Sequence, residues 1–307
     1  MKFSIFLPAL LIVSSTAFSQ QLPQDTIKEV PEVLDEVLVR AIRVNAQSPV
    51  THSNLTEKEL EKRNLGQDLP FMLNFLPSVV STSDAGAGVG YTSFRVRGSD
   101  ASRVNVTLNG IPFNDAESQG SFFVNLPDFT SSVQNLQLQR GVGTSTNGSG
   151  AFGASLNLLT DAVSETAYGE ITNSFGSFNT RRHNVKFSSG MLNDHIEIAG
   201  RLSAIASDGY IDRASSDLKS YFLQGSYVDE TTLIKAITFG GHEVTYQAWN
   251  GIDRETLEEN RTFNSAGMFT DANGNVRFHD NEVDDYRQDH YQLHWNERYN
   301  NKWSSTL

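Results

Sequence analysis

The chain has 307 residues, of which 38% are hydrophobic and 20% charged, so it has room for two folded domains and is too apolar for wholesale disorder. Its formal net charge of −12 disfavours nucleic-acid binding, which needs a basic surface that releases phosphate counterions. Cysteine is absent, which excludes disulfides, thiolate metal sites and thiol catalysis.

Residues 1–19 are predicted to be a secretory signal peptide. A lysine precedes an apolar run over 3–13, and the small residues Ala17 and Ser19 stand at the −3 and −1 positions before Gln20. The run is too short to anchor the chain in a membrane, and no later apolar stretch approaches the roughly 18 residues that a membrane helix requires. We expect an exported protein, cleaved near Ser19 and Gln20, that is periplasmic, secreted or an outer-membrane barrel.

Residues 20–44 are predicted to form a flexible tail. The part over 21–33 is polar, acidic and marked by proline, which is typical of a linker. The sequence LDEVLVRAIRV over 34–44 then predicts a short extended segment.

Residues 45–160 alternate short β-like runs with glycine-rich turns and predict a mixed α+β domain. A helix is expected over 56–64, where Thr56 as N-cap and Glu59 three residues later form a capping box. A second short helix is expected over 67–74.

Two further segments of this domain predict strands. Residues 104–113 contain Asn109-Gly110, the strongest short signal for a tight hairpin. Residues 131–141 alternate apolar and polar side chains and end at a glycine.

From residue 167 onward, runs of about ten residues alternate in polarity, which is the pattern of a membrane β-barrel. In 287–296, for example, Tyr291, Leu293 and Trp295 share one face and polar side chains occupy the other. Strands are expected at six positions, with a seventh opening at Trp303: 167–176, 180–189, 195–206, 219–228, 232–242 and 286–296.

Alternating polarity alone would also fit a soluble β-sandwich. Two further features favour a barrel: the polar strand faces, and connections that are mostly short and long in turn. The long connections are expected at 207–218 and 243–285. Seven strands cannot close a barrel around a plug, so the sequence is expected to be the N-terminal part of a longer protein.

The stretch 66–160 resembles the plug domain of TonB-dependent outer-membrane receptors. Four segments carry the resemblance in family order: LPFMLNFLPSVV (69–80), FRVRGSD (94–100), VNVTLNGIPFNDAES (104–118) and VQNLQLQRGVGTSTNGSGAFGASLNLLT (133–160). The resemblance implies a plug domain over 45–160 and the N-terminal part of a transmembrane β-barrel over 161–307.

Three arginines of these segments, Arg95, Arg97 and Arg140, are candidate contacts between plug and barrel. They could pair with carboxylates of the barrel lumen and hold the plug by polar contacts that remain separable. Ordinary salt bridges within the plug are the alternative.

Residues 34–39 resemble a TonB box, the segment that the periplasmic protein TonB binds. An extended segment on a flexible tail can add as a strand to the edge of a partner, with main-chain hydrogen bonds providing affinity. A disordered tail or an edge strand of the plug is the alternative. The candidate TonB-binding residues are Leu34, Asp35, Glu36, Val37, Leu38 and Val39.

Patterns of enzyme chemistry are weak in this sequence. Residues 148–153 satisfy G-x-G-x-x-G, but a strand and not a helix is expected to follow, so no dinucleotide site is expected. His290 and His294 lie about 13 Å apart on a strand, too far to hold one ion. The acidic loop 279–285 could bind a cation or be solvated, and 271–275 is expected to be a turn. We expect no enzyme, cofactor or resident metal.

The resemblance implies active, TonB-coupled import of a scarce small ligand, plausibly an iron chelate such as a ferric siderophore, across the outer membrane. The expected partners are TonB, outer-membrane lipid and the ligand, with no nucleic acid. A passive porin and a surface ligand-binding or adhesion protein without transport are the alternatives.

Overall fold

The computed structural model describes residues 43–45, 47–143 and 151–307. The predicted signal peptide and the candidate TonB box (34–39) lie outside these residues. Within the described part of the chain, no helix is both long and apolar enough to cross a bilayer.

A five-stranded sheet forms the centre of the N-terminal part, which we call the small domain (43–160). Its strands lie in the order β1-β6-β7-β4-β5, and only the β4–β7 pair is parallel. The strands are β1 (His52–Thr56), β4 (Val104–Leu108), β5 (Ile111–Pro112), β6 (Val133–Arg140) and β7 (Ala154–Thr160).

A separate hairpin and two short helices cover this sheet: α1 (Glu57–Glu61), α2 (Leu69–Leu73), β2 (Val79–Ser83) and β3 (Thr92–Val96). The predicted capping box is confirmed, since a carboxylate oxygen of Glu59 accepts the Thr56 backbone N–H at 2.9 Å. Helix α1 is shorter than predicted because the chain turns after it, with the N–H groups of Arg63 and Asn64 both donating to the Leu60 carbonyl.

The predicted hairpin at Asn109-Gly110 is also confirmed. Both residues have positive φ, 53° and 84°, which a tight turn between β4 and β5 requires and which asparagine and glycine tolerate best. The Asn109 side chain accepts the Thr160 N–H at 2.9 Å, so the turn is also fixed to the end of β7.

A seven-stranded antiparallel sheet, which we call the wall sheet, follows the small domain. Its order is β16-β15-β12-β11-β10-β9-β8, so strands that are consecutive in the sheet are consecutive along the chain apart from one inserted hairpin. The strands are β8 (Ala167–Phe175), β9 (Arg181–Ser189), β10 (Ile196–Ser207), β11 (Ser216–Val228), β12 (Thr232–Tyr246), β15 (Val283–Arg298) and β16 (Ser304–Thr306).

At one end of the wall sheet the connections are short, at 190–195, 229–231 and 299–303. The other end has the longest connection, 247–282, together with 208–215 and the short turn 176–180. The connection over 247–282 contains α3 (Arg254–Glu259) and a hairpin of β13 (Met268–Thr270) and β14 (Val276–Phe278), none of which was predicted. The strand positions agree with the sequence prediction to within a few residues, although β12 and β15 extend further into the long connection.

Side chains of the wall sheet alternate between two different environments. Leu202, Leu223 and Leu293 lie on the outer face and are 45–63% exposed, whereas the neighbouring Arg201 and Gln224 face inward and are buried. This is the apolar-out, polar-in alternation of a membrane barrel wall. The sheet is open, because β8 and β16 are its two ends and do not pair with each other.

Candidate functional site

One segment of the small domain, residues 123–132, packs closely against the inner face of the wall sheet. The Phe129 ring lies 5.1 Å from that of Phe239 in β12, and Ser220 of β11 donates to the Pro127 carbonyl at 2.6 Å. A Cβ built on Gly241 would lie 2.5 Å from Pro127, so glycine lets the two backbones approach this closely. The segment is therefore fitted to the wall by both apolar and polar contacts.

A single carboxylate, Asp128, is the centre of the polar contacts. Its side chain is fully buried and accepts hydrogen bonds from Arg182 Nε at 2.8 Å, Asn184 at 2.7 Å and Ser203 at 2.6 Å, all on the wall sheet. The buried guanidinium of Arg201 lies 3.8 Å away. Donors from β9 and β10 thus converge on one side chain of the small domain.

The electrostatics of this cluster favour ionised Asp128. Burial by itself disfavours the charged carboxylate, but the charges of Arg201 and Arg182 outweigh it and lower the pKa of Asp128 below its ordinary value. Asp128 has a φ of 53°, a left-handed conformation that asparagine and aspartate adopt more readily than most residues. The cluster is a buried, charge-compensated joint between the two parts of the fold.

A second ionic contact lies nearer the short-turn end of the wall. Lys186 of β9 contacts Asp161, just after β7, at 3.0 Å and Glu57 of α1 at 3.3 Å. Glu57 and Asp128 thus place carboxylates of the small domain against cations of the wall, and Asp161 adds a carboxylate from the junction just after the domain. These contacts are separate from the predicted pairing of Arg95, Arg97 and Arg140 with carboxylates of the barrel.

The three predicted contact arginines lie elsewhere. Arg140 donates to Ser53 Oγ at 2.8 Å and to the His52 carbonyl at 3.3 Å, so these bonds are internal to the small domain. Arg95 and Arg97 are exposed, and burial together with the nearby charge of Arg97 lowers the pKa of Arg140. Pairing of the three with lumen carboxylates remains a prediction.

The chain enters the small domain through a fixed point just after the predicted TonB box. Arg43 donates to the Asn135 side chain at 2.7 Å and to the Asn157 carbonyl at 2.9 Å. Val44 exchanges two hydrogen bonds of 2.9 Å with the Gln137 side chain. A force applied to the preceding residues would therefore be transmitted directly to β6 and β7.

A cavity of about 310 Å³ lies between the small domain and β15, near the long-connection end. Tyr91 forms part of its floor, hydrogen-bonded to Asp284 and with its ring edge-on to that of Trp249 at 5.2 Å. The lining consists of Tyr91, Phe113, Asp115, Ser118, Gly120, Phe122, Asn125, Asp284, Tyr286 and Gln288. The lining comes from both the small domain and the wall sheet, so a small ligand in this cavity would contact both.

Two acidic segments, 271–275 and 279–285, were the remaining sequence candidates to be placed. Asp271 accepts the backbone N–H groups of Asn273 and Asn275, both at 2.9 Å, which confirms the predicted turn. Among the residues that the structure describes, no group of three or more His, Asp or Glu side chains is placed to hold a metal ion.

Sequence reasoning missed the residues of the Asp128 cluster. Arg182 and Arg201 stand at inward positions of alternating strands, where a charge must meet a polar lumen or a partner, and this was the available signal. Asp128 itself follows a proline in what resembles an ordinary turn. It is separated by 54 residues from Arg182, so no local pattern joins the two.

Comparison with known families identifies the small domain. Residues 44–155 match the family model described as the TonB-dependent receptor plug domain. None of the curated proteins compared matches the chain.

Solved structures resemble the chain over most of its length. The siderophore receptor PirA from Acinetobacter baumannii matches with a TM-score of 0.60 and 15% identity over 86% of this chain and 40% of its own. FpvA from P. aeruginosa bound to a pyoverdine matches with a TM-score of 0.62 and 12% identity, over 85% of this chain and 33% of its own. The ferric citrate transporter FecA in its unliganded form matches with a TM-score of 0.61 and 15% identity, over 82% of this chain and 38% of its own. At such identities the likeness establishes the fold, a plug domain against part of a barrel wall, and the chain spans well under half of each structure.

Proposed function

We propose that the chain is part of a TonB-dependent receptor and acts in TonB-coupled import of a small ligand across the outer membrane. Carriage of the ligand, and not its chemical conversion, is the proposed role. One observation carries the proposal: a plug domain packs against the inner face of a barrel wall through an interface that includes buried, charge-compensated polar contacts beside its apolar ones. A polar interface can be separated and rehydrated, whereas a wholly apolar one would expose a large hydrophobic surface each time the plug moved.

The proposed coupling element is the segment 34–39. It precedes the fixed point at Arg43 and Val44, so a partner that binds the segment as an added strand could pull on β6 and β7. The energy would come from the inner membrane through TonB, and no nucleotide site is needed.

The proposed ligand class is an iron chelate. It is supported by the resemblance of the fold to proteins described as siderophore receptors and a ferric citrate transporter. A protein described as the copper transporter OprC has a similar fold, with a TM-score of 0.58, so other metal complexes belong to the same hypothesis.

Deleting residues 34–39 tests the coupling. Cells producing the full-length receptor would be supplied with ⁵⁵Fe-labelled ferrioxamine B and ferric citrate, and radioactivity at the surface and inside the cell would be measured separately. We expect the deletion to abolish internal accumulation and to leave surface binding unchanged, because it removes the proposed TonB-binding residues and none of the residues that line the cavity.

The two alternatives make different predictions for the same assay. A porin would continue to accumulate label after a protonophore collapses the proton-motive force. An adhesion protein would bind label at the surface without accumulation even when the segment is intact. Unchanged uptake by the deletion variant would contradict the coupling role.

A further inference from the structure

The cavity between the plug domain and β15 has an aromatic lining. Four rings contribute to it, from Tyr91, Phe113, Phe122 and Tyr286. Phe122 and Tyr286 remain 44% and 46% exposed, so their ring faces are open to a ligand. Ring faces carry negative electrostatic potential and attract cations.

The charged groups of the cavity are acidic. Asp115 and Asp284 line it, and none of the lining residues in the described structure is a lysine or an arginine. Asp115 is oriented by the Ser118 backbone N–H at 2.7 Å, and Asp284 by the Tyr91 hydroxyl. Both carboxylates are therefore fixed acceptors at the cavity wall.

A third carboxylate, Glu243 of β12, is buried close to Tyr91. It is 1% exposed; one of its oxygens accepts the Thr245 hydroxyl at 2.8 Å, and the other has no hydrogen-bond partner. Burial, the hydrogen bond to Asp284 and the charge of Glu243 all raise the pKa of Tyr91. The Tyr91 hydroxyl therefore stays protonated and remains a hydrogen-bond donor to Asp284.

We propose that this cavity binds a cationic, hydrogen-bond-donating arm of the imported ligand, such as the ammonium group of a metal chelate. Carboxylates accept hydrogen bonds from an ammonium group, and the ring faces of Phe122 and Tyr286 surround it. An anionic arm would meet two carboxylates among lining residues that include no lysine or arginine, and like charges brought close together repel each other. The inference rests on the proposed import and names the charge that the site selects.

A matched series of ligands tests the charge directly. Ferrioxamine B carries a free amine, its N-acetyl derivative is neutral at that position, and its N-succinyl derivative is anionic there, while the iron-binding groups are the same. Binding to the purified full-length receptor would be measured by titration at low salt. We expect affinity to fall along the series, with the amine form about tenfold or more tighter than the succinyl form.

In the double variant Asp115→Asn with Asp284→Asn, the amine and succinyl forms should bind with nearly equal affinity, so that the ratio of their affinities is close to one. Asparagine keeps an acceptor for Ser118 and Tyr91, so the fold is retained, and circular dichroism checks this. The matched control is Asp194→Asn with Asp280→Asn, two exposed carboxylates outside the cavity lining, and it should keep the wild-type ratio.

Three outcomes would overturn the inference: equal or tighter binding of the succinyl form, an unchanged ratio in the double variant, or no binding by any member of the series. None of these outcomes bears on the coupling segment. The import proposal would still stand if ⁵⁵Fe uptake from ferric citrate requires residues 34–39.

Discussion

At the scale of single residues, Asp128 is the most consequential side chain of the interface. Asp128→Asn preserves the shape and the left-handed backbone preference but removes the charge that compensates two buried guanidiniums. Leaving a buried charge without its partner costs about 3–5 kcal/mol. We expect the free energy of unfolding of the plug domain, measured by urea titration of the full-length receptor, to fall by about this amount.

Asp100→Asn is the matched control for that substitution. Asp100 caps a short 3-10 turn by accepting the Ser102 N–H at 3.1 Å, a role that asparagine fills about equally well, so a change under about 0.5 kcal/mol is expected. Acid should reproduce the Asp128 effect in the wild type. Since its pKa is lowered on folding, its stabilisation is present at neutral pH and is lost as the pH falls through the folded value. Equal stability of the two variants would refute the assigned role.

At the scale of elements, the close approach of residues 123–132 to β12 depends on Gly241. Gly241→Ala places a methyl group 2.5 Å from Pro127 Cδ and 2.6 Å from the Asn125 carbonyl oxygen, both parts of the opposing segment. Overpacking of this kind costs about 1–3 kcal/mol. We expect the plug domain of this variant to become more sensitive to protease. Time-resolved cleavage of the full-length receptor measures this sensitivity.

Gly225 of β11 provides the control for Gly241. It too lies within a strand of the wall sheet, but a Cβ built on it meets nothing within 4 Å. Gly225→Ala should therefore leave cleavage unchanged. Equal protection in both variants would show that the segment does not dock as described.

The elements also show how far the sequence could predict this fold. The wall strands and the Asn109-Gly110 hairpin follow from local patterns, since alternation and turn chemistry act over a few residues. Helix α3 had a signal that was overlooked: Asp253, which accepts the Thr256 N–H at 2.8 Å, is an ordinary N-cap. The Asp128 cluster could not be predicted, because its members become neighbours only when the plug docks on the wall.

At the scale of the whole molecule, the side chains on the two faces of the wall sheet indicate which face meets lipid. The outer face carries a row of mainly apolar residues, because register aligns Phe187 with Gly200, Gly200 with Leu223, and Leu223 with Thr238 across four strands. The inner face of the same strands carries the buried polar side chains that meet the plug. A soluble sandwich would need a second layer over the outer face, whereas a lipid bilayer covers it directly.

Leu223→Arg distinguishes lipid from water on the outer face. An arginine facing the middle of a bilayer costs about 2–4 kcal/mol in a barrel, whereas on a water-exposed surface the change would be nearly neutral. Leu257→Arg is the matched control, since Leu257 lies on helix α3 of the long connection and is 40% exposed, close to the 45% of Leu223. We expect the Leu223 variant alone to lower the folding free energy into lipid vesicles and the amount of folded receptor in the outer membrane. If both variants fold equally well, the outer face does not contact lipid and the wall sheet is not part of a membrane barrel.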